Sequence, residues 1–322
     1  MDFLAMLLTV AGLALFESIT SVDNAIVNAD VLARMSQKAR RWFLLWGLLI
    51  AVFVVRGVLP TLILYLANPQ IGVMGAVGAT FNSDPAAVHA IEATAPILLM
   101  AGGVFMVFLF LHWLFLEPKR IGLFGERFFR SQGVWFFAVA SIFLTATVWF
   151  SMQMNPLVAF GAVVGSTAFF IVHGFKENAA KQEREMIDGS VSMSDWSKIF
   201  YLEVIDATFS IDGVLGAFAF TFSIPLILIG NGIGAFIVRE ITVHNVENVR
   251  KYVFLKNGAM YSILVLGAIM MLDAFGVHIP SWVSPVSTFA VVGFFFLKSA
   301  RHLEKTGKEE KRAPPRRRPT PS

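Results

Sequence analysis

Glu17-Ser18-Ile19-Thr20-Ser21-Val22-Asp23-Asn24 and, far downstream, Asp206-Ala207-Thr208-Phe209-Ser210-Ile211-Asp212-Gly213 interrupt otherwise apolar stretches of the chain. Both read acid, four residues to Ser, two more to Asp, then Asn or Gly. A carboxylate inside a lipid-spanning segment is costly and marks function by default, so acids recurring at one spacing imply a shared site near the middle of a membrane. The surrounding composition fits that setting. Of all residues, 56% are hydrophobic and 32 are Phe, with a mean hydropathy of +0.69, more apolar surface than a soluble domain buries. Cysteine is absent, which excludes disulfides, thiolate metal sites and cysteine nucleophiles and leaves oxygen or imidazole to hold any metal.

Runs of about 20 apolar residues, enough to cross a hydrocarbon core, occur at 3–32, 42–66, 94–116, 134–151, 156–174, 199–222, 224–240, 257–276 and 283–300. The fold class expected is an all-α polytopic membrane protein of about nine transmembrane helices. The first run has no cleavage-site pattern and carries a motif, so it reads as a true span. All Lys and Arg except Arg56 fall in 33–41, 117–133, 174–198, 239–256 or from Lys298 onward, one face of a nine-span arrangement. The alternate connections, 68–93, 152–155, 223–225 and 276–282, contain none. The positive-inside rule then puts the N terminus outside and the C terminus in the cytoplasm of a cell (inner) membrane.

In that topology the spans holding Asp23 and Asp212 run in opposite directions, which makes the motifs parts of inverted repeats around a central site. Repeat one covers about 3–116, linker spans 134–174, repeat two about 199–276, and an extra span 283–300. Together, 1–303 form a transporter domain. At 100 degrees per residue, Glu17, Ser21 and Asn24 share a helix face, as do Glu203, Asp206, Ser210 and Gly213, while Asp23 and Asp212 fall off it. Local unwinding would bring each Asp back to its upstream acid, and Ser, Asp, Asn and Gly are poor helix formers. Broken helices are therefore expected at 21–24 and 210–213, beside a cavity that tolerates irregular backbone. Arg56, mid-span, is a candidate internal counter-charge to Glu17 or to a second-motif acid, or a structural partner of helix carbonyls. Arg239 is its weaker counterpart.

Glu17, Asp23, Glu203, Asp206 and Asp212, with Asn24 and the hydroxyls of Ser21 and Ser210, form a hard oxygen set suited to Mn2+, Mg2+ or Ca2+. His112 and His173 stand at no ligand spacing and read as interfacial or packing residues. Asn28 and Asp30 continue the first span and line an exit path, or Asp30 is a solvated end residue. The glycines of Ala101-Gly102-Gly103 and of Gly161 to Gly165 read as close helix-packing positions. Segment 176–198 reads as a solvated cytoplasmic loop. The tail 304–322 reads as disordered, basic and attracted to anionic lipid, with no nucleic-acid partner needed to explain the charge.

The paired motifs, Glu17 to Ala25 and Glu203 to Gly213, resemble the signature motifs of the TerC family of integral membrane proteins. The resemblance extends to Asn231, Arg239 and Phe254-Leu255-Lys256-Asn257-Gly258-Ala259, and covers most of residues 3–300. TerC proteins belong with the LysE-like exporters and include proteins implicated in Mn2+ efflux. The resemblance implies divalent metal export and assigns ligand roles to Glu17, Asp23, Asn24, Glu203, Asp206 and Asp212. Gly213 stands where many relatives have Ser, and the pair of spans at 134–174 with the long 68–93 connection points to a divergent branch of unknown function. Export of a divalent cation costs about 4.6 kcal/mol per 100 mV, from roughly 2.3 per charge, so coupling is needed, and clustered carboxylates suit exchange for protons. No cofactor is expected beyond the transported cation, Mn2+ first. An intramembrane enzyme is disfavoured by the absence of Gly-x-Ser-x-Gly and His-Glu-x-x-His motifs. A scaffold with purely structural acids, or an exporter of another cation or small solute, stays open.

Overall fold

Lipid offers no water to a backbone amide, so apolar runs of membrane length satisfy their own hydrogen bonds as helices. The computed structural model describes residues 3–312 apart from 48, 51–53, 55, 68, 82–84, 120–122, 124, 188–193 and 243–245, and every element among them is helical. In order they are α1 (Phe3–Thr20), α2 (Val22–Leu32), α3 (Gln37–Trp42), α4 (Arg56–Ala67), α5 (Gly72–Phe81), α6 (Pro85–Leu116) and α7 (Glu126–Ser131). Then follow α8 (Phe136–Met154), α9 (Pro156–Ile187), α10 (Asp195–Ala217), α11 (Ile224–Glu240), α12 (Val246–Arg250), α13 (Leu255–Ala274) and α14 (Val283–Arg312).

Six spans among the described residues are long and apolar enough to cross a membrane: Phe3–Thr20, Ala93–Leu116, Gly133–Met154, Pro156–Asn178, Leu255–Ala274 and Val283–Thr306. The other three expected crossings differ for separate reasons. α11 is a 17-residue helix. The last 18 residues of α10 hold Glu203, Asp206 and Asp212. In the 42–66 region a π-helical turn, Phe43–Gly47, precedes residues outside the description and the 12-residue α4.

α6 is the axis of the bundle, lying between α9 and α13. Met100, Val104, Phe105, Met106 and Phe108 are buried along it, and the Phe169 ring of α9 meets Phe105 and Phe108 edge-on at 6.0 and 5.6 Å. Glycine permits this closeness. A Cβ at Gly161 would stand 2.6 Å from the Ile97 carbonyl oxygen, and one at Gly103 would stand 2.9 Å from that of Gly267. The glycine runs are therefore helix-packing positions. Outward faces of α8, α9 and α14 expose Phe137, Trp149, Phe160 and Phe289, apolar surface of the kind acyl chains cover.

Three local expectations are corrected. The first motif breaks at Ser21, between α1 and α2, but α10 runs unbroken through 210–213, so the second helix is not discontinuous. The segment read as a loop from 176 begins as helix, since α9 continues to Ile187. The stretch read as disordered from 304 is likewise helical to Arg312, and 313–322 lie outside the described residues.

Candidate functional site

Three glycines place Glu17. α1 packs on α11 so tightly that a Cβ at Gly234 would lie 2.6 Å from Glu17 Cβ and 2.8 Å from the Ala14 carbonyl oxygen. One turn away, a Cβ at Gly230 would lie 2.5 Å from Leu13 Cβ. From α10, a Cβ at Gly213 would stand 2.5 Å from Glu17 Oε2. The carboxylate thus occupies the junction of α1, α10 and α11, where it is 1% exposed. Arg56, 3% exposed at the start of α4, donates from Nη2 to Glu17 Oε1, which also accepts from Ser21 Oγ at 2.9 Å. Ser21 is a one-residue kink: its N–H reaches Glu17 O at 3.1 Å and its carbonyl accepts from Ala25 N at 2.9 Å, so the chain bends without unravelling.

This junction is one end of a small cavity of about 70 Å³ that Glu17, Ser21, Arg56, Glu203 and Asp206 line together, room for a few water-sized guests. Asn28 of α2 and Arg239 of α11 complete its polar wall. Glu203 lies against Gly47 of the π-helical turn, where any Cβ would collide with its carboxylate. Among the described residues, Glu203 Oε1 and Asn28 Oδ1 are buried with no hydrogen-bond partner. A buried acceptor without a donor costs about 1–3 kcal/mol, more for an ionised group, so these two oxygens are poised for a cation or a bridging water.

Asp212 goes elsewhere. Six residues beyond Asp206 on a regular helix, it points into a second cavity of about 300 Å³, where its Oδ2 accepts from Lys176 Nζ and both side chains are 14% exposed. The same cavity holds His112 and His173, whose ring centroids are 3.9 Å apart, and His173 Nε2 is 3.4 Å from Glu177. Each motif therefore has one acid neutralised by a cation from another helix: Glu17 by Arg56, Asp212 by Lys176.

Of the residues singled out in the sequence, Glu17, Ser21, Glu203 and Asp206 meet around one cavity with Arg56 and Arg239. Ser210 does not join them, because its hydroxyl donates to Asp206 O at 2.7 Å within its own helix. Asp23 and Asn24 lie in α2, and their side chains are outside the description. Asp30 is half-exposed and pairs with Arg250 at 2.9 Å, an end-of-helix contact. Among the described residues no three His, Asp or Glu side chains converge closely enough to hold a metal ion. The residues missed from sequence were Lys176, which looked like loop, and the two histidines, 61 positions apart on separate helices with no spacing that could announce their meeting.

A family model, described as a protein of unknown function (DUF475), matches residues 22–306. The chain belongs to the DUF475 family. No curated protein and no solved structure matches it. In this DUF475 protein the stretch Phe254 to Ala259 has a structural explanation. Asn257 Nδ2 donates to both oxygens of the buried Glu126 at 2.9 and 3.0 Å, Tyr261 OH donates at 3.1 Å and Leu123 N at 3.0 Å. That clamp ties α7 to α13. Elsewhere, the Ser36 hydroxyl and N–H bond Asp195, the N–H at 3.2 Å, and hold this exposed carboxyl below its ordinary value of 3.8.

Proposed function

We propose that this protein is a transporter, not an enzyme, that exports a divalent metal cation, Mn2+ first, by alternating access in exchange for protons. The observation that carries the reading is Glu203 Oε1, buried without a partner among the described residues in a cavity shared with Glu17 and Asp206 inside a membrane bundle. A carboxylate oxygen withdrawn from water gains from a positive partner nearby. Carboxylate, amide and hydroxyl oxygens are the ligands of hard divalent cations.

Three carboxylates line the cavity against two guanidiniums, Arg56 and Arg239. In the reading proposed here Arg56 stands in for the cargo: it neutralises Glu17 in the absence of a cation and yields that carboxylate when an arriving cation draws Glu17, Glu203 and Asp206 closer together around it. Asp23 and Asn24, next along the first motif, extend the ligand set. Asp212, held by Lys176, belongs to the proton side of the exchange. Nine crossings, with 42–66, 199–222 and 224–240 completing the bundle, an outside N terminus, inverted repeats and kinship with TerC proteins form part of the same proposal.

The test is cellular manganese content and tolerance in a strain lacking this chain, complemented with wild type, Asp23→Asn or Asp212→Asn. Low retained manganese with wild type alone supports export through the paired motifs, whereas equal manganese in all strains rejects Mn2+ as cargo. The internal neutralisation of Glu17 and Asp212 favours one second reading, a membrane scaffold whose acids only join helices. Full folding and unchanged metal sensitivity in Glu203→Gln would favour it.

A further inference from the structure

Along one face of α14 the side chains change character abruptly. Phe294 and Leu297 are exposed by 59% and 56%, and the next positions of the same stripe are Lys298, Arg301, His302 and Lys305, spaced as neighbours on a helix. With Phe254 they line a groove of about 480 Å³ with no acidic residue among its described lining. Among the described residues no carboxylate forms an ion pair with Lys298, Arg301 or Lys305. Lys298 Nζ sits 4.8 Å above the Phe254 ring, and the His302 ring meets that ring edge-on at 5.9 Å, so the aromatic floor fixes two of the polar groups in place.

Depth along the helix identifies what this groove meets. At 1.5 Å per residue, Lys298 and Lys305 lie roughly 23 and 33 Å from the start of α14 at Val283. A hydrocarbon core is about 30 Å thick, so a helix entering it near Val283 brings Arg301 to Lys305 to the headgroups, and Lys298, one to two turns deeper, reaches them by extending its long side chain. Like charges gathered on one face repel unless an anion lies between them. A free phosphate would satisfy the cations and leave Phe294 and Leu297 uncovered; a phospholipid satisfies both halves.

We propose that this groove binds one anionic phospholipid, its phosphate held by Lys298, Arg301 and Lys305 and an acyl chain lying on Phe294 and Leu297. The site is independent of what the carboxylate cavity carries. Native mass spectrometry of the full chain, titrated with phosphatidylglycerol, phosphatidylcholine or inorganic phosphate, tests it. Wild type should retain phosphatidylglycerol over phosphatidylcholine, and millimolar phosphate should not displace it. The triple variant Lys298→Gln, Arg301→Gln, Lys305→Gln should bind it about 100-fold more weakly, at about one kcal/mol per basic residue. Replacing Arg316, Arg317 and Arg318 with Gln should leave this binding intact. Equal retention of both lipids, displacement by phosphate, an undiminished triple variant, or loss that follows the Arg316 to Arg318 variant would each overturn the proposal. A triple variant that fails to fold is replaced by Phe294→Ser with Leu297→Ser, which should lower acyl-chain retention, and unchanged retention there would equally reject the site.

Discussion

Gly234→Ala is the sharpest perturbation the geometry offers. The new methyl carbon would lie 2.6 Å from Glu17 Cβ, 2.8 Å from Glu17 Cγ and 2.8 Å from the Ala14 carbonyl oxygen. Ordinary contact begins near 3.4 Å, so α1 and α11 must separate by roughly 0.6–0.8 Å, and all three atoms belong to backbone or to the stem of a residue already fixed by Arg56. Overpacking of this kind costs about 1–3 kcal/mol, against a helix-propensity gain of at most about 1 kcal/mol for Gly→Ala. The matched control is Gly293→Ala, where an added Cβ meets nothing within 4 Å and only the propensity gain remains. Stability of the purified protein in detergent, followed by tryptophan fluorescence during unfolding, should fall for Gly234→Ala and hold or rise for Gly293→Ala. Equal stability of the two variants would refute the claim that α1 and α11 touch through that glycine, and with it the placement of Glu17.

Other expectations concern the polar contacts. Glu17→Gln or Arg56→Met should each destabilise by about 3–5 kcal/mol, because one buried charge is stranded, while the double variant should cost less than the sum; additive losses in unfolding experiments would deny the pair. Glu126→Gln replaces one carboxylate oxygen with an NH2 that must face the Asn257 amide and either Tyr261 OH or Leu123 N, a loss of about 1–3 kcal/mol, and should speed proteolysis within 117–133. The Asp195 carboxylate, held below 3.8 by Ser36, keeps its contact above that pH and loses it as the pH falls through its lowered value. Protection of the Ser36 amide from hydrogen exchange, complete at neutral pH and gone in strong acid, checks the sign.

Much of this arrangement is legible in the chain. The hydrophobic runs announce the helices, and the helical wheel separates Asp212 from the Glu203 and Asp206 face. The structure keeps that separation, because α10 stays regular where unwinding was expected. Poor helix formers were a weak argument there: Ser210 spends its hydroxyl on the Asp206 carbonyl, which accommodates it inside the helix. Gly213 looked like a missing hydroxyl, yet it is the space into which the Glu17 carboxylate fits. What sequence could not supply was pairing across helices. Nothing local ties Lys176 to Asp212, or His112 to His173, since those contacts arise only once α6, α9 and α10 are assembled.

In the transport proposed above, Glu203 Oε1, without a partner among the described residues, receives the cation. Mn2+ flux into proteoliposomes holding purified wild type or Glu203→Gln, with membrane potential clamped and a pH gradient imposed, tests it most directly. Flux in wild type should depend on the gradient and fall at least about tenfold in the folded variant, the equivalent of about 1.4 kcal/mol. Flux that is absent in wild type, or equal in the two proteins, would contradict it.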